Sequence, residues 1–381
     1  MKIEEAKELK IAILIRNFDE AGGGAERYCV ELCKKLSLLF NVHVFSQNIV
    51  TNIEGIEFHH VRSSFSKPRF LNQLQFSYRT KKMLERLSFD IVHSHDIVTH
   101  ANVYTVHVPC FKTKFHNSNI FKLLISILNI FISPRQVSYL YLEKKAYQTK
   151  NQIIAVSQML ATNILACYPN IHKPTIAYPG IHPITKKNNK AELRSKYGFK
   201  DSDFLVLFVG NGYLRKGLNY LIESIEKISK EKISLVIIGD GNKNEVQFSN
   251  KSIMNRTYFF GKVDNISEFY SMCDILAHPT NGDTFGMAPL EAMSNQLPVI
   301  LPNKKYCGIS ETLTPNDAII LERPDDINAI SKGIQNLFQS RRFYKNLSLN
   351  GYKVSKNMSW ENTLNQTLKA YERILSTKEN L

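Results

Sequence analysis

DILAHPTNGDTFGMAPLEAMSNQLPVILP, residues 274–302, is the stretch from which the fold of this chain is best predicted. Its apolar ends, Ile275–His278 and Val299–Leu301, have the composition of buried strands. Proline is tolerated in the first turn of a helix, so Pro289 predicts a helix that begins near Ala288. A strand, a loop, a helix and a second strand in this order are typical of a parallel α/β sheet.

The loop of this stretch carries polar groups that suit an elongated, partly anionic ligand. Asp283 lies in the predicted loop and Glu291 in the first helical turn. Four residues between them present their amides at the helix N-terminus: Thr284, Phe285, Gly286 and Met287. Two carboxylates with free N–H donors between them can hold a nucleotide-sugar. The helix dipole alone also favours an acid in the first turn, so an ordinary α/β unit remains the alternative.

Length and composition indicate two globular α/β domains. Single cores usually stop growing at roughly 250–300 residues, and this chain has 381. Its hydrophobic content of 43% and charged content of 22% are those of a folded globular protein and exclude a disordered chain. The N-terminal MKIEEAKELKIAILIRNF has acids before a short apolar run, so neither a secretory signal nor a membrane span is predicted there.

The net charge of +15 is concentrated in the first half of the chain. Residues 1–190 carry 25 Lys and Arg against 13 Asp and Glu, whereas the remaining residues carry 24 against 21. A basic half could meet nucleic acid, an anionic membrane or a phosphorylated acceptor. No helix-turn-helix, zinc-finger or RNA-binding aromatic motif accompanies the charge, so no nucleic-acid partner is predicted.

The cysteines indicate a reducing compartment. They form no CxxC pair and no Cys/His spacing typical of a zinc site. We therefore expect small buried side chains at all six positions, and no metal: Cys29, Cys33, Cys110, Cys167, Cys273 and Cys307.

The first predicted strand, Leu9–Ile15, is followed by a run of three glycines, Gly22 to Gly24, and a helix predicted over Ala25–Leu39. Glycines let a ligand approach the backbone at a helix N-terminus, where anions bind well. The run matches neither GxGxxG nor a Walker loop, so it does not specifically indicate a dinucleotide or a triphosphate. A flexible turn is the alternative.

Further strands alternate with helical stretches, which predicts a parallel, doubly wound sheet with ligands at the carboxyl ends of its strands. The predicted strand Val103–Val108 places His107 near such an end. Alternatively, His107 is a core residue. His93, His95 and His100 are the other candidates for a catalytic histidine in this half.

Residues 111–150 combine an apolar stretch with basic flanks. Seven cations accompany the single acid Glu143: Lys112, Lys114, Lys122, Arg135, Lys144, Lys145 and Lys150. The apolar stretch, Ile120–Ile132, is too short to cross a bilayer. Its character favours the plane of an anionic membrane surface, and a crossover helix packed inside the domain is the alternative.

In the second half, the apolar strand Phe204–Gly210 is followed by Arg215, Lys216 and Gly217 and then by a helix. Two adjacent cations at a strand-to-helix turn can hold a diphosphate, and surface cations are the alternative. The polar run of residues 186–190 precedes this half, so we place the domain boundary near residue 185.

Taken in order, these segments resemble the retaining glycosyltransferases of the GT-B fold, group 1 or GT4. The first-half motifs are GGGAERYCVELCKKL, FDIVHSHD, YTVHV, IIAVSQ and YPGIHP. The second-half motifs are FVGNGYLRKGLNYLIESI, LVIIGDG, FFGKV and DTFGMAPLEAMSNQLPVI. The last of these resembles the family's E-x7-E motif, with Asp283 in place of the first Glu, and its form is most similar to enzymes that build lipopolysaccharide core or other bacterial surface glycans.

The resemblance covers nearly the whole chain and implies an α/β fold of two Rossmann-like, doubly wound domains facing across a cleft. Residues 1–185, joined by the C-terminal helix 360–381, would form the acceptor-side domain, and residues 186–359 the donor-binding domain. Two departures from the family pattern occur besides Asp283. Pro179-Gly180 replaces the usual Asn-Gly, and His182 stands where an acid is common.

The resemblance also implies roles for the cationic and glycine-rich segments. Arg215 and Lys216 would bind the donor diphosphate and stabilise its charge as the nucleotide leaves. Gly23 and Gly24 would close on that diphosphate from the other domain. His107 matches the family histidine near the transferred sugar.

For residues 283–291, the resemblance implies that the two ends of the segment bind different parts of the donor. Glu291 would hold the ribose hydroxyls and Asp283 the sugar hydroxyls. The amides of Phe285 to Met287 would make the remaining sugar and phosphate contacts.

The implied reaction moves a hexose from a nucleotide-sugar, a UDP-sugar rather than a GDP-sugar, to a hydroxyl of a glycan or lipid-linked acceptor. Configuration would be retained, with no cofactor and no essential metal. We expect a cytoplasmic protein, peripheral at the inner face of the membrane through residues 111–150. A sugar-nucleotide epimerase of related fold and a non-catalytic sugar- or membrane-binding protein are the alternatives. The Asp283/Glu291 spacing, the basic segment and the paired Arg215 and Lys216 argue for the transferase.

Overall fold

The computed structural model describes residues 8–113, 133–182, 189–228 and 233–379. The chain divides into two compact units, residues 1–180 with 360–381, and residues 181–359. Each unit is built on one parallel sheet. No helix among the described residues is both long and apolar enough to span a bilayer.

The first unit contains a seven-stranded sheet of order β5-β3-β1-β6-β7-β8-β9, in which all pairs are parallel. Two short strands, β2 and β4, pair with each other beside it. The strands are β1 (Lys10–Leu14), β2 (Asn17–Phe18), β3 (Asn41–Ser46), β4 (Asn48–Ile49), β5 (Ile56–His60), β6 (Ile91–Ser94), β7 (Val103–Val106), β8 (Gln152–Ala155) and β9 (Thr175–Ile176).

The second unit contains a six-stranded parallel sheet of order β12-β11-β10-β13-β14-β15. Its central strands are almost entirely apolar because both faces are covered, as in β11, where every residue is buried and Ser234 alone is polar. The strands are β10 (Phe204–Val209), β11 (Ile233–Ile238), β12 (Thr257–Gly261), β13 (Ile275–Ala277), β14 (Val299–Pro302) and β15 (Ile319–Leu321).

Helices connect the strands in both units, and the last helix belongs to the first unit. They are α1 (Gly24–Leu36), α2 (Arg69–Leu84), α3 (Pro134–Ala146), α4 (Gln158–Cys167), α5 (Lys190–Lys196), α6 (Leu218–Glu226), α7 (Lys251–Met254), α8 (Ile266–Met272), α9 (Met287–Ser294), α10 (Ile327–Gln339), α11 (Arg341–Lys356) and α12 (Trp360–Glu379). Helix α12 is tied to the first unit by a hydrogen bond of 2.6 Å from the Thr363 hydroxyl to the Tyr178 carbonyl.

Both sheets reverse their strand order once, and candidate site residues lie in the loops that follow the strands at this reversal. In the first sheet the chain builds outward from β1 through β3 to β5 and then returns to add β6 on the other side of β1. In the second sheet the same reversal lies between β10 and β13. Ligands of doubly wound sheets bind at the carboxyl ends of the strands where the order reverses.

Several sequence predictions differ from the structure by a residue or two. Helix α9 begins at Met287 rather than Ala288, so Glu291 lies just beyond its first turn. Strand β7 ends at Val106, so His107 lies in the loop that follows it. All six cysteines are buried and unpaired, as predicted.

Candidate active site

In the second unit, the loop after β10 and the loop after β13 meet at the reversal of strand order. Gly217 makes this contact possible, since its φ is 77° and a Cβ there would lie 1.9 Å from the carbonyl oxygen of Pro279. The Arg215 guanidinium donates to the Gly282 carbonyl at 2.8 Å, and the Asn281 amide donates to the Arg215 carbonyl at 2.9 Å. The two predicted diphosphate cations are therefore held against the loop that carries Asp283.

Lys216, Asp283 and His278 form one polar cluster at this junction. The Lys216 amine forms an ion pair with the Oδ2 of Asp283. The same oxygen accepts a hydrogen bond of 3.0 Å from the Nε2 of His278. No residue in the described part of the chain donates to the Oδ1 of Asp283, which leaves this oxygen able to accept from a ligand hydroxyl.

The electrostatics of the cluster keep Asp283 ionised. Burial alone would raise the pKa of this carboxyl, but the hydrogen bond from His278 and the charge of Lys216 outweigh burial and hold its pKa well below the usual range. Burial and the neighbouring Lys216 and Arg215 lower the pKa of His278, although Asp283 opposes this shift. Near neutral pH the cluster is therefore an anionic Asp283 between a cationic amine and a neutral imidazole.

Backbone pairing fixes the loop that leads into α9. The Asp283 amide donates to the Tyr306 carbonyl at 2.8 Å, and the Ile309 amide donates to the Phe285 carbonyl at 2.6 Å. Gly286 then takes φ of 105°, where a Cβ would lie 2.8 Å from the Cys307 sulfur. No side chain caps α9 at Gly286. The first amides of a helix have no partner within it, so this N-terminus can receive an anion.

Glu291 is held by a residue that the sequence did not single out. Its Oε2 accepts a hydrogen bond of 2.8 Å from the hydroxyl of Tyr270, a buried residue of α8. This bond orients the carboxylate from the neighbouring helix.

In the first unit, histidines line up along the carboxyl ends of β6 and β7. The Nδ1 of His95 lies 3.0 Å from the Nε2 of His107. Two residues before His95, on β6, the Nδ1 of His93 lies 2.8 Å from the Tyr371 hydroxyl and its Nε2 lies 2.7 Å from the Thr105 hydroxyl. The rings of His93 and His95 stack at 4.7 Å, so the three imidazoles form a continuous column.

The imidazole column is neutral near pH 7. Burial lowers the pKa of His93 to about 3. Burial also lowers the pKa of His95, and the neighbouring imidazoles lower it further. His107 is partly exposed at the end of the column, and burial lowers its pKa as well. The ring of Tyr28 packs on His107 at 5.1 Å with 74° between the planes, which limits its rotation.

The glycine run precedes α1 near the reversal of the first sheet. Gly23 caps the helix with extended backbone and no side-chain hydrogen bond. A Cβ at Gly23 would lie 2.8 Å from a carboxylate oxygen of Glu26, so this acid lies over the predicted anion position. The loop after β1 is tied to the loop after β6 by the ion pair of Arg16 and Asp96 at 2.9 Å.

Two family models match this chain, one in each half. The model described as Glycosyltransferase Family 4 matches residues 22–183, and the model described as Glycosyl transferases group 1 matches residues 189–354. The chain belongs to the group 1 glycosyltransferases.

Relatives and solved structures agree with this family. The glycosyltransferase is 25% identical, over 341 residues, to an uncharacterised glycosyltransferase of Methanocaldococcus jannaschii, covering 84% of this chain and 85% of that protein. The crystal structure of WaaG, a glycosyltransferase involved in lipopolysaccharide biosynthesis, has a TM-score of 0.81 at 17% identity and covers 96% of this chain and 99% of WaaG. HepE from Anabaena in complex with UDP-glucose has a TM-score of 0.67 at 15% identity and covers 98% and 100%. The fold of the glycosyltransferase is therefore GT-B.

The structure brings together some of the predicted site residues of this glycosyltransferase. Within the second unit, Lys216 pairs with Asp283, Arg215 donates to the carbonyl of the residue before Asp283, and α9 begins four residues after Asp283. Within the first unit, His107 lies in the imidazole column. The roles of Gly23 and Gly24 in donor binding stay predictions.

Sequence reasoning missed three residues that contact the predicted ones: His278, Tyr270 and His95 as a partner of His107. His278 could have been found, because it directly follows the buried strand β13 and lies five positions before Asp283 on the same loop. Tyr270 carries no comparable signal, since an aromatic residue on a short helix is an ordinary core residue.

Proposed function

We propose that this glycosyltransferase moves a hexose from a UDP-sugar to a hydroxyl of a glycan or lipid-linked acceptor, with retention of anomeric configuration and without an essential metal. The observation that carries the proposal is the cluster of Lys216, Asp283 and His278 beside Arg215, at the reversal of strand order in the second unit.

The cluster has the chemical parts that a nucleotide-sugar requires. Arg215 and Lys216 supply two positive charges for a diphosphate, and the N-terminus of α9 supplies amides. Asp283 supplies an ionised acceptor for sugar hydroxyls, and Glu291, oriented by Tyr270, supplies another for ribose hydroxyls. The similar HepE structure holds UDP-glucose, which supports a UDP-sugar as the donor.

In the reaction, the acceptor hydroxyl oxygen bonds to the anomeric carbon, the bond from that carbon to the phosphate oxygen breaks, and the hydroxyl proton leaves with the UDP phosphate. Negative charge grows on the diphosphate as its bond breaks. Fixed cations at that position stabilise the transition state more than the ground state, which is how Arg215 and Lys216 accelerate the step. His107, neutral and held by His95, contacts the transferred sugar in this proposal.

A donor panel tests the proposal. The protein is incubated with UDP- and GDP-sugars, and nucleotide release and sugar products are measured with and without an acceptor extract. We expect UDP release from one donor, accelerated by acceptor. The anomeric proton coupling in the product reports retention, and activity after chelator treatment reports metal independence. An epimerase would convert the sugar without releasing nucleotide, and release from no donor would contradict any transferase.

We further propose a role in the synthesis of lipopolysaccharide or another cell-surface polysaccharide. The fold is similar to that of WaaG, which is involved in lipopolysaccharide biosynthesis, and the DTFGMAPLEAM motif resembles such enzymes. Lipid-linked acceptors from membranes are therefore the first to be tried in the donor assay.

Peripheral contact with an anionic membrane is the final part of the proposal. Residues 114–132, which include the whole apolar stretch of the predicted membrane segment 111–150, lie outside the described residues. In helix α3, which follows them, Val137 and Tyr141 are each half exposed. They are four positions apart and therefore lie on one face of the helix. Lys144 and Lys145 are exposed one turn later. Apolar and basic side chains together on an exposed helix suit a membrane interface.

Lys112, in contrast, is engaged within the first unit and is a poor choice for testing membrane contact. Its amine donates to the Cys167 carbonyl at 2.7 Å and lies 4.8 Å from the centre of the Tyr168 ring. The buried Glu143 accepts from the amides of Phe111 and Lys112. Removing this lysine would disturb packing as well as charge.

Flotation with anionic vesicles therefore compares wild type with a Lys144→Gln/Lys145→Gln variant. We expect the variant to float less at low salt. Arg341→Gln/Arg342→Gln is the matched control, since it removes two adjacent exposed cations from a helix of the second unit. Equal flotation of wild type and the α3 variant would contradict membrane contact through this helix.

A further inference from the structure

Three side chains outside the candidate active site converge on one face of the first sheet. His43 lies on β3, and Glu57 and His59 lie on the adjacent edge strand β5. The parallel pairing sets His43 beside Glu57 and Phe45 beside His59. Since alternate residues of a strand share a face, Glu57 and His59 project to the same side as His43.

The ligating atoms of these three side chains form a small triangle. The Nδ1 of His43 lies 3.0 Å from the Nε2 of His59. The Glu57 carboxylate lies 3.4 Å from the former through its Oε2 and 3.3 Å from the latter through its Oε1. All such atoms of the group lie within 4.8 Å of one another. One ligand atom from each of the three side chains can therefore reach the same ion.

The three ligating groups are spaced similarly to neighbouring ligands in a tetrahedral metal site. With zinc–nitrogen and zinc–oxygen bonds of about 2.0–2.1 Å, tetrahedral geometry separates neighbouring ligand atoms by about 3.3–3.4 Å. Each Glu57 oxygen lies at this separation from one imidazole nitrogen, Oε2 from that of His43 and Oε1 from that of His59, and the His43–His59 separation is a few tenths of an ångström shorter. In the absence of an ion, a single proton shared by the two imidazoles would account for that shorter contact.

Aromatic neighbours hold the two imidazoles in place. His59 stacks on Phe45 with ring centres 4.3 Å apart and 11° between the planes. Phe89 packs nearly perpendicular to His43 at 5.0 Å. His43 is only 7% exposed, and no described residue is a hydrogen-bond partner of its Nε2. This geometry needs little rearrangement to bind an ion, which is what a preformed site requires.

We propose that His43, Glu57 and His59 bind a divalent transition metal ion of the zinc class, joining edge strand β5 to β3. Two imidazoles and one carboxylate favour such ions over Mg²⁺ and Ca²⁺, which prefer oxygen ligands. Glu57 is largely exposed, so an ion reaches the site from solvent and a water completes its coordination. Because the protein supplies three ligands, we expect a lower affinity than at a structural site with four.

Sequence spacing could not reveal this site. His43 and His59 are on separate strands, and only the pairing of β3 with β5 brings them together. Glu57 and His59 are two positions apart, which is an ordinary alternation in an edge strand.

The test uses tag-free, full-length protein stripped with a chelator and then dialysed against Zn²⁺ alone. We expect about one bound zinc per chain for wild type by elemental analysis, and none above background for Glu57→Gln or His59→Gln. His60→Gln is the matched control, because His60 is the exposed neighbour on the same strand and is expected to keep the zinc. An excess of Mg²⁺ is not expected to displace it.

Two further measurements separate loss of binding from loss of folding. Circular dichroism of Glu57→Gln should match wild type, since this side chain is exposed. Saturating Zn²⁺ should raise the midpoint of thermal unfolding of wild type by roughly 5–10 °C, and that of Glu57→Gln by much less. Absence of stoichiometric zinc from wild type, or equal zinc in wild type and both ligand variants, overturns the proposal.

Discussion

Lys216 and Asp283 form a largely buried ion pair across 67 residues of sequence. Lys216 follows β10 and Asp283 follows β13, so the pair joins the two loops that meet where the second sheet reverses its strand order. His278 donates to the same carboxylate oxygen. The pair therefore holds a cation at the position where the donor diphosphate is proposed to bind.

Lys216→Met is expected to lower kcat by about 100-fold or more, because a fixed charge that stabilises the leaving diphosphate is lost. The variant should also lose about 3 kcal/mol of unfolding free energy, since Asp283 is left as a buried charge without its amine. Steady-state kinetics and denaturant unfolding measure the two effects.

Adding Asp283→Asn to Lys216→Met separates the roles. We expect the double variant to regain much of the stability and none of the activity. Arg323→Met is the control, since it removes a cation from an exposed ion pair with Asp325 in the same unit, and it should change neither quantity. Wild-type kcat in Lys216→Met would remove Lys216 from the catalytic site.

Gly217→Ala tests the close contact between the two loops. A Cβ there would lie 1.9 Å from the Pro279 carbonyl, at a φ of 77°. Gly212 is the matched control, because it has a φ of 73° and no atom within 4 Å of the Cβ position.

Gly212→Ala should lower the free energy of unfolding by about 1–2 kcal/mol, through left-handed backbone strain alone. Gly217→Ala should lower the free energy of unfolding by roughly 1–3 kcal/mol more, because of the steric clash. It should also lower kcat, since the displaced loops carry both Lys216 and Asp283. Thermal unfolding and donor turnover measure the difference. Equal effects of the two substitutions would show that the contact with Pro279 does not matter.

The buried histidines predict loss of stability in acid. Burial lowers the pKa of His93 to about 3, and the pKa of His100 to about 4. Unfolding exposes them to water, where their pKa is about 6.5. The unfolded state therefore takes up protons first as pH falls, so their contribution to stability is complete above pH 6.5 and is lost progressively toward the folded pKa.

Each such histidine should lower the unfolding free energy by up to about 1.4 kcal/mol per pH unit in that window. Denaturant unfolding at pH 7.5, 6 and 5 measures the slope. His93→Gln should reduce the slope of unfolding free energy against pH by the equivalent of about one proton. His60→Gln, at an exposed position, should leave that slope unchanged. An identical slope in His93→Gln would refute burial of a neutral His93.

His95 is expected to act as a positioning residue for His107. The His95–His107 contact of 3.0 Å selects which nitrogen of His107 carries the proton. His107→Ala should lower kcat by about 100-fold or more if His107 contacts the reacting sugar. His95→Ala should lower kcat less and shift the pH profile, while donor KM stays close to wild type.

His95→Asn provides the readout that distinguishes positioning from packing, since the asparagine amide can replace the Nδ1 of the histidine. We expect it to recover much of the kcat lost in His95→Ala. Equal loss in the alanine and asparagine variants would instead indicate a packing role.

Sequence patterns predict the two sheets well and the polar contacts poorly. The buried strands are apolar runs, so β10 and β14 are within a residue of their predicted ends. Helix α2 has no such signal, because it buries the polar residues Gln73, Ser77 and Thr80 beside Phe76. The Lys216–Asp283 pair and the imidazole column depend on strand order, which no local pattern specifies.

Asp283→Glu addresses the one position where the chain departs from the E-x7-E motif. Asp283 is held between Lys216 and His278, so the carboxylate sits close to the loop backbone. One more methylene would carry the carboxylate farther toward the donor sugar while keeping its charge. Since a single methylene in a binding site changes selectivity by about 10- to 200-fold, we expect the preference among UDP-hexoses to change by about that factor.

The ratio of kcat/KM for two UDP-hexoses, measured in competition, gives this preference directly. Asp283→Asn is the matched variant, because it keeps the length and removes the charge, and it should lower kcat/KM for all donors alike. A selectivity ratio that is unchanged in Asp283→Glu, with turnover retained, would place the sugar beyond reach of residue 283. The shorter acid would then serve only to hold Lys216 and His278, and donor choice would have to be sought among the amides at the start of α9.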